Sequence, residues 1–174
     1  MKKHQCDRLC DCRVCNCCTG YCELSEEDRQ TLFAQERAET TEPIKSKWDH
    51  YGLPVYRING VDYAVADTDE DADKAARDYI EGSLWDFDSD FIARFVTKSA
   101  DRDKLARALQ IVQAKLCEDA NDLVSVLVAD RMDDFVQEAT SADGRGHFLS
   151  PYDGVERDGE DVYAPWKGKL VYRV

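Results

Sequence analysis

Between two runs of β-branched and aromatic residues, Val55-Tyr56-Arg57-Ile58 and Val61-Asp62-Tyr63-Ala64-Val65, stands the dipeptide Asn59-Gly60. A type I′ turn needs positive φ at both central residues, and Asn followed by Gly tolerates this best, so the spacing predicts a two-residue hairpin. Whatever the chain folds into must therefore hold an antiparallel strand pair. Leu170 to Val174 alternates in the same way, with Pro165 and Gly168 fixing its approach, and is expected to extend that sheet.

The rest of the body reads as helix. Leu105, Ala108, Leu109, Val112 and Leu116 follow the helical repeat and predict a helix from about Asp101 to Glu118. Ala76, Tyr79, Ile80 and Leu84 do the same behind the run Asp67 to Asp73, whose acids suit the solvated first turn of a helix. Asp86, Asp88 and Asp90 supply a turn and cap before Phe91, Ile92 and Phe95. Leu123 to Val128 fits helix or strand by composition, and its helical neighbours favour helix; Asp133 to Ala142 predicts another, with Phe135, Val136 and Ala139 inward. The expected fold class is α+β: an acidic domain over 44–174 with a short antiparallel sheet packed on four or five helices. A chain of 174 residues is long enough to bury a real core.

Seven of the eight cysteines, Cys6, Cys10, Cys12, Cys15, Cys17, Cys18 and Cys22, crowd the first 22 residues beside His4. No apolar run there resembles a signal peptide, so the thiols are expected to stay in a reducing cytoplasm, and disulfides are the weaker reading. Such spacing marks 1–22 as a metal-binding knuckle, and zinc is the default ion. The eight donors fill two tetrahedral zinc sites or share thiolates in a smaller cluster, as metallothioneins do. An iron–sulfur cluster is the alternative, because Cys12-x2-Cys15-x2-Cys18-x3-Cys22 has the spacing of a bacterial ferredoxin half-motif. Glu23 stands where that motif has Pro, and no second four-cysteine run exists. The metal's expected role is structural, since its binding energy folds a peptide without a core. Residues 23–43 read as a charged helix and linker: Ser25 caps a helix over Glu26, Glu27 and Asp28 running to about Glu39, and Thr40 to Pro43 break it. Cys117 is expected as a small core residue.

A formal net charge of −13 argues against a general binder of DNA or anionic membranes, which needs a basic face. No apolar stretch approaches the roughly 20 residues that span a bilayer. The charge favours a protein partner with a basic surface. Asp67, Asp69, Asp71, Asp73 and Asp78 fall on ligand positions of an EF-hand loop, but Ala72 replaces its required Gly and Asp78 its bidentate Glu, so calcium ranks behind the helix reading. Trp166, Lys167, Lys169 and Arg173 form a small basic–aromatic patch, read first as sheet packing and second as a nucleic-acid contact. A nucleic-acid module using the N-terminal Lys2, Lys3, Arg8 and Arg13 is a further alternative.

The second densely specified stretch is Ala142-Asp143-Gly144-Arg145-Gly146-His147-Phe148-Leu149-Ser150-Pro151-Tyr152-Asp153-Gly154. Its plainer reading is two turns bracketing Phe148-Leu149, with Gly144 left-handed after a helix and Gly146 at a second positive φ. Its chemical reading has Asp143, Arg145, His147, Tyr152 and Asp153 converging as acids, cation and base of an enzyme. His50 reads as a packing residue beside Trp48 and Tyr51. With Ser83-Leu84-Trp85-Asp86-Phe87 and Asp133-Asp134-Phe135, this stretch resembles a group of small acidic proteins carried by bacteriophages and prophages. The resemblance covers about Gly60 to Gly154 and leaves out the cysteines. It implies a phage or mobile-element setting and no reaction. Proteins of that class often regulate, inhibit or counter host defence by binding, and mimicry of DNA charge would use Asp67 to Asp73 and Asp130 to Asp134. The expected function is a non-enzymatic protein that binds a host or phage protein. An iron–sulfur redox or sensing protein, an enzyme at the bend, and a nucleic-acid module are the alternatives.

Overall fold

The computed structural model describes residues 42–96 and 101–174, and the chain divides between Thr41 and Glu42. Strands β1 (Ile44–His50), β2 (Leu53–Ile58), β3 (Val61–Ala66), β4 (Glu156–Asp158) and β5 (Leu170–Arg173) form an antiparallel sheet in the order β1-β2-β3-β5-β4. Ile58 pairs with Val61 across Asn59 (φ 50°) and Gly60 (φ 81°), so the predicted hairpin forms with the predicted turn geometry. β5 joins it through Ala64 opposite Tyr172 and Val65 opposite Val171. The two edge strands are additions to the expected sheet. β1 turns into β2 through Tyr51 (φ 51°) and Gly52 (φ 81°), with His50 opposite Leu53. Its register shifts between Lys45 and Asp49, and a bulge with nearby lysines blunts that edge against further pairing.

Among the described residues, five helices have eight residues or more: α1 (Asp69–Gly82), α2 (Ser89–Val96), α3 (Arg102–Leu116), α4 (Asn121–Val128) and α5 (Met132–Asp143). Two short ones, α6 (Arg145–Leu149) and α7 (Gly159–Val162), follow. The Thr68 hydroxyl caps α1 by accepting the Asp71 N–H at 3.1 Å, with Asp69, Glu70 and Asp71 in the first turn. The acidic run is thus a helix start, which corrects the EF-hand alternative: a calcium loop and a continuous helix cannot share these residues. Asp88 caps α2 by accepting from the Asp90 and Phe91 N–H groups.

The face of α3 matches the expected one only in part. Leu109 is buried and Leu105 and Val112 are half-buried as expected, whereas Ala108 and Leu116 are exposed and Ala106 is buried instead. Gln113 explains the rotation: it points inward and donates to the Trp85 and Phe87 carbonyls, both at 2.7 Å, which ties α3 to the segment before α2. Cys117 follows at φ 50° and is exposed, a correction to the core role expected of it. The helix has ended there, so its apolar face no longer meets the core.

Three apolar clusters hold the described domain together. Phe135 of α5 lies at the centre of the helical one, with ring centroids at 5.0 Å from Phe87, 4.8 Å from Phe91 and 5.0 Å from Phe95. A second joins α1 to one sheet face, where Ala72, Ala75 and Ala76 meet Val55, Ala64 and Ala66. These small side chains allow the helix to lie close to the strands. The third covers the opposite face with Trp166 against Ile58, Val65 and Val171. Trp166 is therefore buried, Lys167 pairs with Glu160 and Lys169 with Asp67, in line with sheet packing for this segment. No described helix is long and apolar enough to cross a membrane.

Candidate functional site

The bend after α5 opens a cleft of about 510 Å³ lined by Asp73, Thr140, Asp143, Arg145 and Glu156, among others. Gly144 (φ 78°, ψ 155°) ends α5, and its N–H reaches the Thr140 carbonyl at 2.9 Å. The chain then re-enters helix at once as α6 in place of the first expected turn, while the second forms over Ser150 to Gly154, whose N–H reaches the Ser150 carbonyl at 2.8 Å. Gly146 lies inside that helix and has no positive φ, which corrects the conformational reason given for it. Space is the reason instead: a Cβ there would stand 2.5 Å from the Gly154 carbonyl oxygen and 2.6 Å from the Glu156 nitrogen. Absence of a side chain at Gly146 lets α6 lie directly on the segment entering β4.

That approach carries Arg145 into the interior of the bend. Its Nε and Nη2 form a fork on Glu156 at 2.8 and 2.9 Å; Nη2 also reaches Asp69 Oδ1 at 2.8 Å. Nη1 donates to Asp73 Oδ1 at 3.0 Å and to the Asp69 carbonyl at 3.3 Å. A guanidinium has five N–H donors, and all are used. Burial works against its charge, yet the Glu156 and Asp69 carboxylates more than offset this and hold its pKa above the ordinary value. Glu156 also accepts from the Tyr172 hydroxyl at 2.6 Å. Burial, then the hydrogen bond to Glu156, raises the Tyr172 phenol far above its usual range. The cluster thus binds the start of α1, α6, β4 and β5 around one cation.

The other residues of the bend are not gathered there. His147 is exposed, with its ring edge-on to Phe148 at 5.0 Å, and Asp143 is exposed on the cleft rim. Tyr152 is 69% exposed beneath the Arg173 guanidinium, 4.9 Å from its ring centre. Asp153 accepts from Arg157 at 2.7 Å and from the Val155 N–H at 3.1 Å, and the buried Ser150 hydroxyl lies 2.9 Å away. The Arg157 bond, helped by Ser150 against the opposing effect of burial, holds its carboxyl down at about 2. No hydrogen bond links His147 to Asp143, Arg145, Tyr152 or Asp153 among the described contacts. His50 packs against Trp48 and Tyr51, as expected.

Sequence reasoning missed Glu156 and Tyr172 as partners and gave Asp69 other roles, since they lie 11 to 76 positions from Arg145. Much of the acidity named as a phosphate surrogate is also engaged internally: Asp67 by Lys169, Asp69 and Asp73 by Arg145, Asp133 by Arg77 and Asp134 by Arg131. The proposed metal ligands His4, Cys6, Cys10, Cys12, Cys15, Cys17, Cys18 and Cys22 lie outside the described residues, as does the charged helix expected over 23–43. No family model, curated protein or solved structure matches the chain.

Proposed function

We propose that this protein acts by binding another protein, not by catalysis, as a regulator or inhibitor of phage or mobile-element type. The observation that supports this best is the saturation of Arg145. The bend with the most chemistry in the sequence spends its cation on four internal carboxylate and carbonyl groups and leaves His147 without a partner acid, so it serves as a brace. The net charge of −13 supports attraction to a basic protein surface and faster encounter with it. Exposed acids such as Glu70, Asp78, Asp122 and Asp130, which form no ion pair among the described residues, are better placed to meet it than the paired aspartates. Wholesale mimicry of DNA charge draws little support from aspartates already neutralised within the fold.

A structural zinc on Cys6, Cys10, Cys12, Cys15, Cys17, Cys18, Cys22 and His4 belongs to the same proposal and rests on their spacing alone. Metal analysis of protein purified anaerobically tests it: zinc without visible colour agrees, whereas iron with sulfide and a broad visible band makes redox sensing the leading function. The binding proposal is tested by capturing partners from bacterial lysate at low and high salt. A stoichiometric basic protein released by salt is expected. Substrate turnover lost in His147→Ala with the fold intact would overturn it in favour of the enzyme.

A further inference from the structure

A histidine stands where β1, its following turn, α1 and α6 meet. The His50 ring lies 6.5 Å from that of Trp48 and 4.8 Å from that of Tyr51. Tyr51 in turn contacts Tyr79 of α1 at 5.2 Å, and Tyr79 contacts Phe148 of α6 at 5.8 Å. The Leu149 backbone of α6 lies close enough to the His50 ring to favour its charged form. The His50 Nε2 is buried and has no hydrogen-bond partner among the described residues.

A neutral imidazole accepts this arrangement at small cost, with Nε2 a bare acceptor. An imidazolium does not: Nε2–H becomes a buried, charged donor with nothing to receive it. The groups around it offer no remedy. Asp49, on the same strand, is turned to the Gly52 N–H at 3.2 Å. β2 sets Leu53 and Pro54 opposite, α1 brings the Tyr79 phenol, and α6 brings Phe148 with the exposed His147.

The cover over the ring is itself poised to move. Tyr51 sits at φ 51°, which bulky side chains rarely adopt, and its ring contacts with His50 and Tyr79 hold it there. Trp48 and Tyr51 are 47% and 40% exposed and belong to none of the three apolar clusters, so the turn itself carries little buried surface.

We infer that His50 is a proton-operated latch: charging its ring drives it out from beneath Tyr51, frees the β1–β2 turn from α1 and α6, and uncovers the aromatic face of Tyr79 and Phe148. Burial lowers the proton affinity of His50, only partly offset by the Leu149 backbone and the Asp49 charge, so the latch opens below the ordinary histidine value of 6.5. The inference is independent of the partner proposed above.

The test is NMR of the full chain, following histidine rings and tryptophan indoles from about pH 7.5 to about pH 5. The Trp48 indole should shift with the midpoint of the His50 ring, below 6.5, while Trp85 and Trp166 stay still. In His50→Gln the Trp48 shift should vanish. Tyr51→Asn keeps a residue suited to positive φ but removes the covering ring, so His50 should then titrate near 6.5. Four results overturn the latch: a still Trp48 as His50 charges, an unchanged shift in His50→Gln, an unmoved His50 midpoint in Tyr51→Asn, or all three tryptophans moving together in general unfolding.

Discussion

Arg145 and Gly146 are adjacent and do opposite work, one by what its side chain reaches and the other by having none. Arg145→Lys keeps the charge but loses the planar fork, and an ammonium cannot serve Glu156, Asp69 and Asp73 together. Because Asp69 and Asp73 are 78% and 69% exposed and screened by water, a loss of about 2 kcal/mol is expected, not the larger figure for a fully buried pair. Urea unfolding measures it, and unchanged stability would remove the brace from the account. Gly146→Ala forces a methyl group into backbone at 2.5 Å and should cost about 3 kcal/mol or prevent folding. Asp153 gives a pH signature. Its carboxyl is depressed to about 2, so it stabilises the fold above the unfolded carboxylate value of 3.8, and this is lost as pH falls towards 2. The stability gap between the protein and Asp153→Asn should therefore narrow across that interval. The importance of this bend was legible in the sequence because glycines, an arginine and a histidine rarely crowd together without cause. Its meaning was not, because the groups that consume Arg145 arrive from α1, β4 and β5.

Elements whose signal is local matched the reading, and elements held by distant partners escaped it. Asn59-Gly60 specifies its own turn geometry, and the repeat in α5 places Phe135 inward without further help. Removing that ring from among Phe87, Phe91 and Phe95 should cost about 4 kcal/mol, so Phe135→Ala is expected to lower the thermal midpoint by many degrees. β4 has only Glu156, Arg157 and Asp158, with no apolar residue to announce a strand. It exists because β5 lies beside it and Arg145 grips Glu156. β1 escaped because Ile44, Lys45, Lys47, Trp48 and Asp49 are all exposed, as suits an edge that must not recruit another strand. The face of α3 was partly misjudged, for a related reason: Gln113 buries its amide against two carbonyls, and a polar residue turned inward is invisible to hydrophobic periodicity.

At the scale of the molecule, the described domain has apolar clusters of its own. Among the described residues, each buried cluster, from the phenylalanines around Phe135 to the alanines beneath the sheet and Trp166 above it, is composed of residues between Leu53 and Val174. The cysteines proposed to hold zinc all precede it in the chain, at Cys22 or earlier, and the eighth cysteine, Cys117, is exposed and has no part in that proposal. Metal removal should accordingly act on one part of the chain and spare the other. Zinc binding energy can fold only the segment whose ligands it gathers, and hydrophobic burial stabilises the remainder with or without the ion. On adding a chelator to the full chain, zinc should leave with uptake of protons by the freed thiolates, while the near-ultraviolet signal of the buried aromatics and the main thermal transition should stay where they were. A main transition that falls together with the metal would show instead that the cysteine segment is an integral part of the fold, and that the clusters around Phe135 and Trp166 are not sufficient to hold the sheet and helices by themselves.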